Sequence, residues 1–411
     1  MGNKIDLVEN IKSFERDSEI LITTYTYRRK FFENHLFPRF EDNTFPLILV
    51  DYHEYQENVL NYGESELIEQ KYFIEPIKCD KIFHPKLLLV INDKNINCII
   101  GSNNLTFGGY LTNLEILFNF QLNIEGDVPY KLISEIEDFL KRLITLVKSQ
   151  PHKEKLRKIL SSLRSKVDTN KFSEEKNRES WIIHNLDKPI YSQILQKITG
   201  NVKEIYVISP FYSSSKKFYK ELLKDCKKIN FLIQQENTNL PKNILKDIEK
   251  VDFYELRAEK DRFVHAKLIY FVTENENYLF GGSANFTKPA LLKQDNIELG
   301  VFTKTDMNFN NILGDIGKKA DINLQEIIST NKEQEKRDTT EKKIILVEAR
   351  YKDNKIILKT DRNINPNNNI RIFINELLIQ FIGNKIIGGF FICLVFFVFI
   401  ANMKCLGTAS Y

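Results

Sequence analysis

The sequence predicts an α/β protein in which two similar units, each a mixed β-sheet flanked by helices, face each other around a pseudo-two-fold active site. Three observations predict this fold. Short apolar runs are joined by helix-like segments, the order of these runs repeats along the chain, and a set of polar residues recurs at near-constant spacing in both repeats. A small β-rich appendage is expected after the second repeat.

The apolar runs of the two repeats match in order, which indicates a duplicated structural unit. Each unit begins with a strand and a helix, continues with two strands and ends with a hairpin and a last strand. The matched strands are 19–25 with 204–210, 46–50 with 229–233, 72–77 with 251–256, 86–91 with 267–273, 97–101 with 278–281 and 114–119 with 297–303; the matched helices are 28–37 and 215–225. Such short apolar runs joined by helices are typical of a sheet covered on both faces.

Composition sets outer bounds on the fold and the partners. The 411 residues leave room for two or three domains, and 42% hydrophobic residues are enough for buried cores. A net charge of +4 permits an anionic partner without requiring one. The five cysteines are scattered and outside metal-ligand spacing, which favours reduced thiols and a cytoplasmic catalytic region. The N-terminal residues contain no apolar signal segment.

The segments that connect the repeats differ in composition and suggest domain boundaries. We expect the units to be a first repeat 1–148, a basic helical connector 149–190, a second repeat 191–305, a charged linker 306–342, a β-rich segment 343–380 and an apolar tail 386–403. The connector has apolar residues at helical intervals, namely Leu156, Ile159, Leu160, Leu163 and Val167. This spacing predicts an amphipathic helix with a solvated basic face; the alternative is a basic rim along which a polyanion lies.

The apolar tail 386–403 is an uncharged run of 18 residues. That length is at the short end of a membrane-spanning helix, so the sequence favours a membrane anchor at this position. A pair of buried core strands and an altered end of the reading frame are the alternatives.

The repeated polar set begins with His84 and Lys86, which recur 181 residues later as His265 and Lys267. In both repeats 17 residues separate the lysine from an asparagine in a Gly-Ser-x-Asn segment, and an Asn-x-Glu triplet follows. The asparagines are Asn104 and Asn285, and the glutamates are Glu115 and Glu298. A single His-x-Lys pair is weak evidence, but twin spacing in a duplicated unit predicts one active site built from two halves.

The chemistry of this set points to a phosphodiester. Residues i and i+2 of a strand project from one face, so each histidine and its lysine should point into the same cleft. Two imidazoles, two ammonium groups and two amides would then surround a tetrahedral anion, with one histidine attacking phosphorus and the other protonating the leaving oxygen. Carboxylate clusters for magnesium are absent from the sequence, so we expect no metal and no cofactor. The two glutamates would orient the imidazoles, or else pair with lysines at strand ends.

Further residues beside the predicted cleft are candidates for substrate contacts. Aromatic side chains follow the first strand of each repeat, where they would stack on bases or cover a sheet edge. Arginines there would bind phosphate, and the serines of the Gly-Ser-x-Asn segments lie next to the catalytic set. These candidates are Tyr25, Arg28, Arg29, Phe211, Tyr212, Ser102 and Ser283.

The duplicated His, Lys, Asn and Glu set resembles the motif of the phospholipase D superfamily over residues 15–305. That family often has an Asp five residues after the lysine, where this chain has Ile91 and Val272. The Asp-less form looks more like tyrosyl-DNA phosphodiesterase and the restriction-type endonucleases of the superfamily. The resemblance implies two phospholipase D-like repeats and a metal-independent phosphohistidine mechanism. It also implies that His84 is the nucleophile and His265 the general acid.

Three functions remain open from the sequence. The first is a nuclease or DNA-end-processing enzyme, with a role in restriction or defence suggested only by analogy. The second is a membrane-associated phospholipid phosphodiesterase or phosphatidyltransferase, favoured by the apolar tail. The third is an inactive nucleic-acid-binding module, against which the intact polar set in both repeats argues.

Overall fold

The computed structural model of this chain describes residues 18–40, 44–124, 130–165, 178–258, 262–314 and 317–329, and separate strands between 346 and 394. The chain divides into two compact units, Met1–Lys336 and Arg337–Tyr411. Both predicted repeats lie in the first unit.

A six-stranded sheet forms the centre of the first half. The strands of this half are β1 Glu19–Thr24, β2 Leu47–Asp51, β3 Phe73–Ile77, β4 Ile82–Phe83, β5 Leu87–Ile91, β6 Asn95–Gly101 and β7 Leu117–Asn123. The sheet has the order β3, β2, β1, β5, β6, β7. Its first three strands run parallel and its remaining neighbours antiparallel. Every residue of β2 and β5 is buried, because both faces of the sheet are covered.

Helices cover the two faces of the first sheet. They are a short helical stretch made of Arg29–Phe31, Phe32–Leu36 and Phe37–Arg39, then α1 Tyr52–Tyr62, a turn of π-helix Gly108–Thr112, α2 Tyr130–Leu146 and α3 Gln150–Ser165. Apolar residues of the short stretch and of α1 pack on one face of β1 and β2. Those of α2 and α3 pack on the other face. Helix α2 has no counterpart among the predicted elements.

Helix α3 confirms the predicted amphipathic helix. Its buried side chains include Leu156, Ile159, Leu160 and Leu163 of the predicted stripe, and His152 in addition; Val167 lies outside the described residues. Its basic face is engaged with acidic partners: Lys155 and Lys158 both pair with Glu19. These ion pairs weaken the alternative of a basic rim for a polyanion.

An eight-stranded sheet forms the second half. The strands of this half are β8 Ser180–His184, β9 Val202–Ile208, β10 Cys226–Ile233, β11 Val251–Ala258, β12 Leu268–Thr273, β13 Asn277–Gly282, β14 Asn296–Ile297, β15 Leu299–Thr305 and β16 Gly317–Asp321. The sheet has the order β16, β11, β10, β9, β12, β13, β15, β8. Its six central strands therefore repeat the order of the first sheet, and β9, β10 and β11 are again parallel.

Within the described residues, five short helices accompany the second sheet. They are α4 Ile190–Leu195, α5 Lys216–Leu222, α6 Lys242–Leu245, α7 Lys288–Leu291 and α8 Phe309–Gly314. The predicted helix 215–225 is thus shorter than expected, and the predicted helix 28–37 is an irregular stretch of three different helical turns.

Two predicted connecting segments contain parts of the second sheet. The helical connector 149–190 includes β8, because the apolar residues of Ser180–His184 pair with β15 at the sheet edge. The charged linker 306–342 includes α8 and β16. Phe309 of α8 is buried and stacks on Tyr206 with 4.3 Å between ring centroids, and β16 extends the sheet beside β11. Residues 330–342 of that linker lie outside the described residues.

The two halves meet along short backbone pairings. Strands β4 and β14 pair in parallel, with Ile82 opposite Asn296 and Phe83 opposite Ile297. A single bridge joins Leu114 to Val264. Each pairing involves the residue before one of the predicted histidines, so the contact between the halves is located at the repeated motif.

The second unit consists of strands where it is described. They are β17 Leu346–Lys352, β18 Lys355–Thr360, β19 Ile372–Ile374, β20 Leu377–Ile379, β21 Asn384–Ile387 and β22 Phe390–Leu394. β17, β18, β22 and β21 form one sheet, and β19 pairs with β20. Within the predicted apolar tail 386–403, the described residues belong to β21 and β22, and 395–403 lie outside the described residues. No helix in the described part of the chain is long and apolar enough to cross a membrane.

Candidate active site

His84 and His265 lie on equivalent loops that lead into β5 and β12, and each loop is held by the opposite half. The His84 N–H donates to the carbonyl oxygen of Ile297 at 2.9 Å. The His265 N–H donates to the carbonyl oxygen of Leu114, also at 2.9 Å. The two motif loops therefore lie together at the boundary between the halves.

The glutamates of the two motifs are exchanged between the halves. His84 Nδ1 lies 2.7 Å from Glu298 Oε2, and His265 Nδ1 lies 2.8 Å from Glu115 Oε1. Both carboxylates are almost completely buried. An Nδ1–H that donates to a carboxylate fixes the ring and makes Nε2 the nitrogen available for chemistry. Of the two roles predicted for the glutamates, the geometry matches orientation of the imidazoles.

The charge of Glu115 is stabilised by its surroundings. Burial by itself raises the pKa of this carboxyl, but His265, Lys267 and the hydroxyl of Ser102 together lower it below its ordinary value. The carboxylate is therefore ionised at neutral pH and accepts the hydrogen bond from the imidazole that it touches.

Ser102 and Ser283 hold these carboxylates and do not face a substrate. The Ser102 hydroxyl donates to Glu115 and accepts from the N–H of Ile116 at 3.0 Å; the Ser283 hydroxyl donates to Glu298 in the same way. Both serines are completely buried. The prediction that they contact substrate is wrong, because the adjacent carboxylate and backbone use their hydrogen-bonding capacity.

The asparagines of the Asn-x-Glu triplets complete the support of the carboxylates. Asn113 Nδ2 donates to Glu115 Oε1 at 3.2 Å, and Asn296 Nδ2 donates to Glu298 Oε1 at 3.0 Å. Each carboxylate thus accepts hydrogen bonds from a histidine of the other half and from a serine and an asparagine of its own half. Such complete pairing is what a buried charge requires.

Both lysines are buried and bend back toward their own loops. Lys86 Nζ donates to the carbonyl oxygen of His84 at 2.8 Å, and Lys267 Nζ donates to that of His265 at 3.0 Å. Lys267 Nζ also lies 2.6 Å from His265 Nε2. The exposed fractions are 2% for Lys86 and 1% for Lys267. Two ammonium groups withdrawn from water beside two imidazoles favour the binding of an anion.

Asn104 and Asn285 are held through their amide oxygens. Asn104 Oδ1 accepts from the N–H of Thr26 at 3.4 Å, and Asn285 Oδ1 accepts from the hydroxyl of Ser209 at 3.5 Å. With the oxygen held by the protein, the NH₂ group is the end that can donate to a ligand. Asn103 instead hydrogen-bonds to Tyr110, which agrees with the choice of Asn104 from the spacing.

One cavity of about 490 Å³ is lined by both halves. His84 and Tyr25 come from the first half, and Asn285 and Phe211 come from the second. The remaining lining residues are Ile82, Tyr212, Ser213, Ser214, Asn239, Pro241, Thr287, Pro289 and Asn296. Within the described residues, no group of three or more His, Cys, Asp or Glu side chains could hold a metal ion.

The fold of this chain has counterparts among solved structures. Yeast tyrosyl-DNA phosphodiesterase matches 72% of this chain with 86% of its own, at a TM-score of 0.51 and 12% identity. A variant of that enzyme matches 74% of this chain with 87% of its own, at a TM-score of 0.52 and 14% identity. This chain has the phospholipase D fold. At these identities the likeness is one of fold. No protein-family model matches the sequence, and no curated protein matches it.

In this phospholipase D fold, Tyr25 and Phe211 lie where the sequence predicts them. The Tyr25 ring lies 5.1 Å from the His84 ring between centroids, and Lys86 Nζ lies 5.7 Å from the Tyr25 centroid. Phe211 lines the cavity from the other half. Both residues therefore line the cavity, and their contact with a substrate stays a prediction.

The other predicted contacts are engaged inside the protein. Tyr212 is buried, and its hydroxyl donates toward the carbonyl oxygens of Val207 and Leu232, so it is mainly a core residue. Arg29 donates to the carbonyl oxygens of Gly63 and Glu64 just beyond α1. Arg28 is half-buried beside Glu54. This contact between Nη1 of Arg29 and the loop after α1 argues against a role for Arg29 in binding phosphate.

Two pairs of supporting residues were not predicted. Asp51 Oδ2 accepts from the N–H of Phe83 at 3.0 Å, and Gln234 Oε1 accepts from the N–H of Val264 at 2.9 Å. Each acceptor thus holds the residue before a motif histidine. Asp51 and Gln234 each come one position after the matched strands 46–50 and 229–233, so continuing the alignment of the repeats by one residue would have found them.

The second pair is Thr24 and Ser209, at the ends of β1 and β9. The Thr24 hydroxyl accepts from the N–H of Leu105, and the Ser209 hydroxyl accepts from the N–H of Phe286. Each hydroxyl thereby ties the first strand of its half to the residue after the motif asparagine. Alignment of 19–25 with 204–210 places these two residues at one position, which is the signal that could have found them.

Proposed function

We propose that this protein is a metal-independent phosphodiesterase that acts on DNA, as a nuclease or a DNA-end-processing enzyme, through a phosphohistidine intermediate. The observation that carries the proposal is the exchanged pair of His–Glu contacts. Because Glu298 holds His84 and Glu115 holds His265, neither half has an oriented histidine by itself, and both are oriented together.

In the first step, Nε2 of His84 attacks the phosphorus atom and forms a P–N bond. The bond between phosphorus and the leaving oxygen breaks, and that oxygen takes the proton from Nε2 of His265. Glu115 holds the His265 ring through Nδ1, so Nε2 is the nitrogen that would exchange the proton with the leaving oxygen. Glu298 stabilises the positive charge that develops on His84.

In the second step, the now neutral His265 removes a proton from water. The resulting hydroxide attacks phosphorus, the P–N bond breaks, and His84 is released. The proton that His265 gave up in the first step is thereby restored, so protons and electrons balance over the cycle.

Lys86, Lys267, Asn104 and Asn285 would stabilise the non-bridging oxygens. Lys86 and Asn104 come from the first half, and Lys267 and Asn285 come from the second. One preorganised donor of this kind typically lowers a barrier by about 3 to 4 kcal/mol. These cationic and amide donors supply charge stabilisation without a metal ion.

DNA is the substrate class that we favour. The Asp-less motifs, with Ile91 and Val272 at the variable position, resemble the tyrosyl-DNA phosphodiesterase branch, and the solved structures named above carry that enzyme's name. Tyr25 and Phe211 line the cavity, and aromatic rings at such positions can stack on unstacked bases. A phospholipid would have to use the same rings as apolar contacts.

The test uses the full-length protein with EDTA present. It compares single- and double-stranded oligonucleotides, a 3′-phosphotyrosyl oligonucleotide and mixed phospholipid vesicles. We expect cleavage of a DNA substrate that is lost in His84→Ala and retained in His53→Ala, a matched change of an exposed histidine. Release of lipid head groups without DNA cleavage would replace DNA with lipid as the substrate.

A salt titration tests DNA binding separately from cleavage. His84→Ala removes the reaction, so its affinity for an oligonucleotide can be followed while salt is raised. Phosphate contacts predict that affinity falls steeply with salt concentration. Binding that does not depend on salt would count against a DNA substrate.

A further inference from the structure

Glu54 lies on the first turn of α1 and is joined to the active site through one residue. Its Oε2 accepts a hydrogen bond from the Thr26 hydroxyl at 2.9 Å. The N–H of the same threonine donates to Asn104 Oδ1. Nothing in the motif spacing singles out Glu54, because its connection to the motif exists only in three dimensions.

The segment that carries Thr26 is clamped between α1 and the asparagine loop. One turn after Glu54, Asn58 Nδ2 donates to the carbonyl oxygen of Tyr27 at 2.7 Å. On the other side, the Thr24 hydroxyl donates to the carbonyl oxygen of Thr26 at 2.8 Å and accepts from the N–H of Leu105. A shift of Thr26 would therefore be transmitted directly to Asn104.

The second half is built differently at the same place. Phe211 stands two residues after Ser209, as Thr26 stands two residues after Thr24, and its side chain has no group that could donate to a carboxylate. Asn285 is contacted by the Ser209 hydroxyl instead. The connection from a helix carboxyl to the motif asparagine thus belongs to the first half.

We propose that Glu54 is a positioning residue for Asn104, which holds Thr26 so that the amide of Asn104 presents its NH₂ group to the phosphodiester. The inference deepens the proposed function and rests on it. It predicts that the orientation of the Asn104 amide depends on the charge of the Glu54 carboxyl group, and that the orientation of the Asn285 amide does not.

The surroundings of Glu54 place its titration near neutrality. Burial raises the pKa of this carboxyl to about 7, although the Thr26 hydrogen bond and Arg28 act in the opposite direction. Glu57 and Asp51, on and beside the same helix, add to the increase. Protonation below that pH removes the charge that attracts the Thr26 hydroxyl, so activity should decline on the acid side.

The kinetic test compares Glu54→Ala, Glu54→Gln and the control Glu57→Gln, an exposed carboxylate on the same helix. The activity measured is hydrolysis of the best DNA substrate from the preceding test, across the pH range around 7. At pH values above 7, we expect Glu54→Ala to lower kcat about tenfold, which is the factor for about one charge-assisted hydrogen bond. Glu54→Gln should lack the acid limb of the wild type, whereas Glu57→Gln should keep it, moved to slightly lower pH because Glu57 adds to the pKa of Glu54. Unchanged pH profiles in both Glu54 variants would overturn the proposal.

Thr26→Val provides a second check, since valine keeps the shape and removes the hydroxyl. If Glu54 acts through Thr26, the double variant Glu54→Ala with Thr26→Val should be no slower than either single variant. Additive losses would mean that the two residues act independently, which contradicts the proposed connection.

Thermal unfolding separates positioning from a structural role. The folded-state pKa of Glu54 exceeds its ordinary value of 4.5, so ionisation destabilises the folded state increasingly as pH rises from 4.5 to about 7. Glu54→Gln should therefore unfold at a higher temperature than wild type above that range. A lower unfolding temperature would mean that the carboxylate serves stability instead.

A wild-type protein that hydrolyses no phosphodiester would refute the proposed function but not yet the role of Glu54. Crystal structures of the wild type and Glu54→Ala would then decide. Loss of the contact between Thr26 N and Asn104 Oδ1 in the variant supports positioning by Glu54. A retained contact overturns it.

Discussion

The two halves of this molecule perform the same structural tasks with different residues. Where the loop before His84 is held by the carboxylate of Asp51, the loop before His265 is held by the neutral amide of Gln234. The Asn104 amide oxygen accepts from the N–H of Thr26, whose hydroxyl donates to Glu54, whereas the Asn285 amide oxygen accepts from the Ser209 hydroxyl. At these two positions the first half uses carboxylates, and the second half uses a neutral amide and a hydroxyl.

In contrast, the contacts that cross between the halves are the same in both directions. Each histidine donates to a glutamate of the opposite half, and each glutamate is held by a serine and an asparagine of its own half. This comparison indicates which features are tied to the chemistry. The exchanged carboxylates are kept in both halves, and the outer supports vary because any acceptor of suitable length can hold a loop.

The largest expected effect distinguishes the two histidines. With a p-nitrophenyl ester of thymidine phosphate, whose leaving group needs no acid, His265→Ala should still form the covalent intermediate but turn over at least about a hundredfold more slowly. His84→Ala should form none. Intact-protein mass spectrometry after an acid-free quench measures the adduct. An adduct in His84→Ala and none in His265→Ala would mean that His265 is the nucleophile and His84 is the acid.

The next largest effects are expected from variants that each break one exchanged His–Glu contact. Glu298→Gln should slow formation of the intermediate, because it disturbs His84, and Glu115→Gln should slow its breakdown, because it disturbs His265. We expect losses of about a hundredfold in kcat for each. Rapid-quench kinetics separates the steps, and the exposed Glu57→Gln serves as control. Equal slowing of both steps by each variant would contradict the division of labour.

The serines that hold the glutamates should matter equally in both halves. Ser102→Ala or Ser283→Ala leaves a buried carboxylate with one donor fewer, and we expect each to lower the free energy of unfolding by about 1 to 3 kcal/mol. Urea unfolding measures the change, with the exposed Ser161→Ala as control. A large loss at only one serine would show that the two carboxylates are not supported equivalently.

Acid stability should depend on Glu115. The pKa of this carboxyl is lowered in the folded protein, so its contribution to stability is present above its ordinary value of 4.5 and is lost as pH falls through the folded-state pKa. Wild type should therefore lose more stability than Glu115→Gln on acidification below 4.5. Parallel pH dependence in the two proteins, followed by thermal unfolding, would contradict this assignment.

The smallest effect concerns the two loop supports. Asp51→Asn keeps an acceptor for the N–H of Phe83 but removes the charge at the start of α1, which should lower the free energy of unfolding by about 0.5 to 1 kcal/mol. Gln234→Glu supplies the equivalent charge in the second half. If the charge difference between the halves matters to catalysis, the two changes should shift kcat in opposite directions. Shifts of the same sign would contradict that idea.

Much of the fold could be predicted because it depends on local patterns. Apolar runs placed the strands of both sheets within a few residues, and helical spacing placed the buried side of α3. The sequence places β8 in a helical connector. Its short apolar run does not identify a strand by itself, since the strand is defined by its pairing with β15. Likewise α8 and β16 were assigned to a linker, although packing of Phe309 on Tyr206 makes them part of the second half.

The candidate site could also be predicted only in part. Repetition identified the eight His, Lys, Asn and Glu residues, since duplicated spacing is visible without coordinates. The roles of neighbouring residues could not be predicted, because they depend on the direction in which each side chain points. Ser102 and Ser283 turn toward carboxylates, and Arg29 turns toward the loop after α1, because the nearest acceptors in space lie there.

The sequence alone therefore determined that this protein contains two copies of one α/β unit, each with a His-x-Lys pair, a spaced asparagine and a glutamate. Only the tertiary structure decided which glutamate serves which histidine. Glu298 lies 214 residues from His84 along the chain, and Glu115 lies 150 residues from His265. Local patterns fix the strands and loops that carry these residues, but the pairing arises only when β4 and β14 bring the two halves together.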